Sequence, residues 1–194
     1  MVIESIALPV GVLYTPQPGD AVFAHTTNAY GFMIGVGEFI RFNNGHYWRH
    51  MAIVVKVDPD GTVWCIQMRK NCNLVKLQDV APNGGSTHVV PCPPEVNREM
   101  AVAYAYKQLG IGYAWFTIVN IAVNIFVPRV LQLDFTYGGA LICSGLVARC
   151  WEHGGWVCSY KGRPINPFDI NPAQFWEVIG STGYALESCK LQKD

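Results

Sequence analysis

Three side chains in this sequence could share one piece of chemistry: a thiol, an imidazole and an amide. Cys143 follows the small residues Gly138-Gly139-Ala140 and precedes Ser144-Gly145-Leu146-Val147, an apolar-periodic stretch that stops at Gly154-Gly155 with His153 in its last turn. The pattern places Cys143 at or near a helix N-terminus, where unpaired N–H groups and the macrodipole favour negative charge and lower a thiol's pKa. A thiolate there is a nucleophile. A free cysteine is also commonly a small buried hydrophobe, and this segment alone leaves both open. A nucleophile needs a base. His50 opens the run His-Met-Ala-Ile-Val-Val-Lys-Val, and Gln67 lies between Ile66 and Met68 in the next apolar run. An imidazole held at one ring nitrogen by an amide carbonyl keeps the other for proton transfer. The plain alternative for His50 is a core histidine with its hydrogen bonds satisfied.

The elements that must position these groups follow from the apolar pattern. Residues 50–57 are β-branched and nearly continuous in apolar side chains, as in a strand buried on both faces. Asp58-Pro59-Asp60-Gly61 is a hairpin turn, and residues 62–68 are the returning strand. A four-residue loop pairs Val57 with Thr62, Ala52 with Gln67, and His50 with Arg69. His50, Ala52 and Gln67 then share one face, with His50 and Gln67 on a diagonal of roughly 7 Å. Shorter strands are expected at 20–24, 73–80 and 87–92, the last two around a turn at 82–85. Asn97 N-caps a helix over 98–109, with Glu99 in its first turn, Gly110 as its stop, and Ala101 and Ala105 on a close-packing stripe.

The rest of the chain is less regular. Residues 30–41 read as a short helix or ordered loop, and 43–45 as a turn. Residues 112–115 form a turn into an apolar segment, 116–131, in which Asn120 and Asn124 read as buried hydrogen-bonders. The proline-rich tail at 160–175 should wrap the surface, and 176–186 add a last short element. His25, His46 and His88 lie in or beside loops and read as solvated or locally bonded. His153 is accounted for by its helix C-terminus.

Composition bounds the function. At 194 residues the chain suits a single domain, and 14 basic against 14 acidic residues give no net charge and no footprint for nucleic acid. Only 14% of residues are charged and the mean hydropathy is +0.18, apolar enough to expect surface covered by a partner, an assembly or a lipid. The seven cysteines form no C-x-x-C pair and no zinc spacing, so neither metal nor cofactor is expected and the thiols read as reduced. Glu4 and Pro9 interrupt the apolar first residues and no basic stretch precedes them. The chain therefore reads as made in a cytoplasm without a signal peptide. The one long apolar run, 115–127, is too short and too polar to span a bilayer, although contact with a membrane stays open.

The residues also resemble a family. Gln108-Leu109-Gly110-Ile111-Gly112-Tyr113-Ala114-Trp115, followed by Cys143-Ser144-Gly145-Leu146-Val147 and Gly154, resembles the NlpC-type papain-fold cysteine peptidases. Those enzymes carry a Leu-Gly-x-x-Tyr-x-Trp element and then Asp-Cys-Ser-Gly-Leu-Val. Here the candidate base and its partner precede the cysteine: Gly19-Asp20-Ala21-Val22-Phe23, then His50-Met51-Ala52-Ile53-Val54, then Ile66-Gln67. This order resembles the circularly permuted branch, which includes relatives of lecithin:retinol acyltransferase. Pro167-Phe168-Asp169-Ile170 resembles the Pro-x-Asp-Leu element near the end of permuted members. The likeness covers about residues 16–175. Ile142 replaces the aspartate before the cysteine, as is common in the permuted branch. Arg49 replaces a usual small residue, which keeps His46 as the alternative base.

The resemblance implies an α+β, permuted papain-like fold: an antiparallel sheet or half-barrel packed against helices, with the nucleophile at a helix N-terminus. It implies Cys143 as nucleophile, His50 as base and then acid, and Gln67 as the group orienting the imidazole. Tyr113 and Ser144 would lie near the substrate and oxyanion, Tyr113 being equally explained by packing. Classical members cut peptide bonds in bacterial cell-wall stem peptides, so hydrolysis of peptidoglycan is the first expectation. Such a chain would be carried to the wall by other subunits, as in a phage tail or a similar assembly. The alternatives are a lipid acyltransferase or hydrolase of the same fold, and a catalytically silent structural subunit.

Overall fold

A computed structural model describes residues 14–25, 48–82, 85–112, 142–160, 163–167, 170 and 172–181. The fold is α+β. In chain order the elements are β1 (Ala21–His25), β2 (His50–Val57), β3 (Val63–Met68), β4 (Cys72–Lys76), the single turn α1 (Leu77–Val80), β5 (Ser86–Val90), α2 (Arg98–Lys107), α3 (Cys143–His153), β6 (Ser159–Tyr160), β7 (Arg163–Pro164) and α4 (Pro172–Ser181). The first five strands form one antiparallel sheet in the order β4-β3-β2-β1-β5, and β6 pairs with β7.

Both faces of this sheet are covered, which is why β2 lacks the polar alternation of a half-exposed strand. On one face Phe23, Met51, Ile53, Ile66 and Met68 pack with Ala101 and Ala105 of α2, Leu146, Val147 and Trp151 of α3, and Phe175 and Ile179 of α4. On the other, Val22, Ala24, Ala52, Val54 and Cys65 pack with Leu77 and Val80 of α1. The small-residue stripe of α2 is the buried one: Ala101 and Ala105 are inaccessible while Met100 on the next stripe is exposed. Asn97 caps this helix as expected, its Oδ1 accepting from the Met100 N–H at 3.0 Å.

The β2–β3 hairpin keeps the expected register at the site and departs from it at the turn. Ala52 pairs with Gln67 and Val54 with Cys65, but Lys56 pairs with Trp64 and Val57 with Val63 instead of Thr62. A β-bulge at Val55 absorbs one residue, so the loop is one residue longer than expected. Within it Thr62 N–H donates to Asp60 Oδ1 at 2.9 Å, and Gly61 adopts a positive φ of 86°.

Three other expectations are corrected. The strand expected over 73–80 ends at Lys76 and turns into α1, because Leu77 and Val80 fall one helical turn apart on the buried side. His88 is not solvated: it is buried in β5 against the rings of Trp48 and Trp176, at 5.6 and 5.1 Å, which also touch each other. The tail does more than wrap the surface, since Ile170 and Phe175 are fully buried and α4 begins at Pro172. The expectations for 30–41, 43–45, 116–131 and 182–186 fall on residues outside the described ones, as do His46, Tyr113, Asn120 and Asn124.

One residue ties these layers together. Asp20 is fully buried, and its carboxylate accepts from the Tyr14 hydroxyl (2.6 Å), Gln17 N–H (2.7 Å), Cys92 N–H (2.9 Å) and Arg98 Nη1 (2.8 Å). A buried carboxylate persists where donors replace its water, and here they come from the segment before β1, the segment after β5 and the start of α2.

Candidate active site

His50 is the first residue of β2 and pairs with Ala24 on β1; on the other side Gln67 pairs with Ala52. The two side chains meet. His50 Nε2 and Gln67 Oε1 are 2.8 Å apart, and both residues are buried. Arg69 makes the second contact with that amide: its Nε–H donates to Gln67 Oε1 at 3.2 Å, and its Nη2 donates to the Val80 carbonyl at 2.9 Å. A guanidinium can only donate, so the shared amide atom is the carbonyl oxygen. An oxygen also requires a donor from the ring. His50 therefore carries its proton on Nε2 and its lone pair on Nδ1.

Electrostatics keep that ring neutral. Burial first, and then the Arg69 guanidinium, lower the pKa of His50 to about 4, against the hydrogen bond to Gln67 that raises it. At neutral pH the side chain is a base with a free lone pair and no charge.

Cys143 is the first residue of α3 and is buried. Ile142 supplies no side-chain cap, and the first helical bond runs from Leu146 N–H to Ile142 O. The N–H groups of Ser144 and Gly145 therefore have no acceptor within the helix. The hydroxyl of Ser144 is committed elsewhere, donating to the Ile170 carbonyl at 2.5 Å, so it anchors the tail.

The level of Cys143 along the sheet follows from the far end of its helix. Trp151 Nε1–H donates to the Gly19 carbonyl at 2.8 Å, and Gly19 N–H donates to Val54 O at 2.8 Å, which sets the last turn of α3 beside Val54. From Trp151 back to Cys143 the helix rises about 12 Å. From Val54 back to His50 the strand covers about 13 Å. Arg69 gives the direction, because its charge interacts with Cys143 as well as with His50. The start of α3 and the start of β2 thus lie toward the same end of the sheet.

Their faces differ. Through their pairing with Ala24 and Ala52, His50 and Gln67 belong to the face covered by α1, whereas α3 packs on the face of Met51 and Ile53. Hairpin spacing brought His50 to Gln67, but no local pattern states which face a distant helix will cover.

Sequence reasoning missed Arg69 as part of the site. Its signal was present: it follows Gln67 by two residues and so shares its side of the strand. The other described thiols are ordinary core groups, burial pushing Cys72 up to about 11 and Cys65, Cys92 and Cys158 up to about 12. Among the described residues no cluster of three or more His, Cys, Asp or Glu could hold a metal ion, and no helix is long and apolar enough to cross a membrane. No protein-family model and no curated protein matches the chain.

Proposed function

We propose that this chain is a thiol hydrolase of the permuted papain-like kind, cleaving amide bonds in peptidoglycan stem peptides as one subunit of a larger assembly such as a phage tail. The observation that carries the reading is the His50–Gln67 pair: a buried, neutral imidazole whose Nε2–H is spent on an amide and whose Nδ1 is left basic. A structural core histidine would also need a partner for its buried N–H. What supports catalysis is that the other ring nitrogen keeps its lone pair while the start of α3 lies toward the same end of the sheet.

The chemistry follows with its protons accounted for. His50 Nδ1 takes the proton of Cys143, and the thiolate attacks the amide carbonyl carbon. The tetrahedral oxyanion is stabilised by the N–H groups at the start of α3. Collapse breaks the C–N bond, and the proton on His50 passes to the leaving amine. Water then attacks the acyl-thioester as His50 takes its proton, and the acid leaves as the thiol is restored. Gln67 keeps the ring in one tautomer through both halves.

Digestion of purified cell wall by the wild type, Cys143→Ala and His50→Ala tests this. New amino termini should appear with the wild type alone; background release by all three removes the proposal. A second reading, a silent structural subunit, draws on the separation of the two faces and on the burial of both Cys143 and His50. Alkylation decides between them, since an activated Cys143 reacts with iodoacetamide at pH 6 well ahead of an ordinary thiol.

A further inference from the structure

We propose that Arg69 is a positioning residue: it holds the Gln67 amide in one orientation and through it sets which nitrogen of His50 carries the proton. The consequence for catalysis rests on the hydrolase reading above; the positioning itself does not.

An amide side chain can turn over at little cost unless its two ends are told apart. At Gln67 the imidazole cannot do this. Nε2 can donate to a carbonyl oxygen or, with its proton moved to Nδ1, accept from the amide nitrogen. Arg69 removes the ambiguity because its Nε–H, at 3.2 Å, accepts nothing. Turning the amide over would set two donors against each other and lose a charge-assisted hydrogen bond. Arg69 is itself fixed by its second donor, Nη2 to the Val80 carbonyl at 2.9 Å, so α1 supports the chain of contacts from behind. A lysine could supply the charge but not both bonds, because only a guanidinium fork reaches two acceptors in fixed directions. Burial, and after it the same positive charge, disfavours a second proton on His50, so the ring is neutral at rest.

Nitrogen-resolved NMR of the histidines in the full chain at neutral pH reads this directly. The wild type should show His50 as the Nε2–H tautomer. Arg69→Gln should move the tautomer ratio about tenfold or more toward Nδ1–H, the scale of a lost hydrogen bond to a charged group. Arg69→Lys should fall between the two, which keeps the test open if Arg69→Gln folds poorly. Adding Gln67→Glu to Arg69→Gln should restore Nε2–H, because a carboxylate only accepts. A His50 tautomer that ignores Arg69 in both single variants overturns the inference, whether or not the protein cleaves cell wall. Wall digestion that ignores Cys143, with the tautomer still governed by Arg69, removes the hydrolase reading and leaves the positioning role standing.

Discussion

Acid should weaken this fold through His50, and the size of the effect follows from its surroundings. In the unfolded chain the imidazole titrates near 6.5, and in the folded chain its pKa is lowered to about 4 by burial and by Arg69. As pH falls below 6.5 the unfolded state takes up a proton that the folded state refuses, so protons favour unfolding. Stability is therefore intact above about pH 6.5 and is lost progressively down to about pH 4, where the folded state also protonates. A gap of about 2.5 units, at about 1.4 kcal/mol per unit, amounts to about 3.5 kcal/mol. That is a large part of the roughly 5–15 kcal/mol by which domains are stable. His88, also lowered to about 4 by burial, adds to the loss. The assay is urea unfolding followed by circular dichroism at several pH values, for the wild type and His50→Gln. The variant is less stable at neutral pH, but its stability should fall less steeply with acid, by about 1.4 kcal/mol per pH unit between about pH 6 and pH 4.5. Carboxylates and His88 contribute equally to both proteins and cancel in the difference. Parallel stability curves would refute the reasoning.

Other substitutions probe the frame around the site. Asp20→Ala strands the Gln17 and Cys92 N–H groups and leaves the part-exposed Arg98 guanidinium only the Pro18 carbonyl, and should cost about 3 kcal/mol; a loss under about 1 kcal/mol in thermal unfolding would show the hub to be dispensable. Trp151→Phe removes the bond to the Gly19 carbonyl that sets the level of α3, and should cost about 1–3 kcal/mol in urea. Gly154→Ala places a methyl 2.4 Å from Val96 Cγ1 and 2.8 Å from the Asn97 carbonyl, both at the α2–α3 junction. About 1–3 kcal/mol of overpacking should appear as a lower urea midpoint, and an unchanged midpoint would mean that the junction yields freely.

The amino-acid sequence by itself determined what short-range rules govern. The double-sided burial of β2, the Asn97 cap, the close-packing alanines of α2 and the start of α3 at Cys143 all follow from periodicity and capping within a few residues. So does the meeting of His50 with Gln67, because a hairpin joins them and a bulge at Val55 leaves that part of the register untouched. The tertiary structure alone decided the rest. Arg69 acquires its role only when α1 offers the Val80 carbonyl, and Asp20 becomes a hub only when donors as distant as Cys92 and Arg98 converge on it. His88 is buried because Trp48 and Trp176 close over it from remote parts of the chain. The face of the sheet that α3 covers was likewise settled by long-range packing. Apolar side chains on both sides of β2 bury equally well under either helix layer, so local pattern carries no preference and only the whole core chooses.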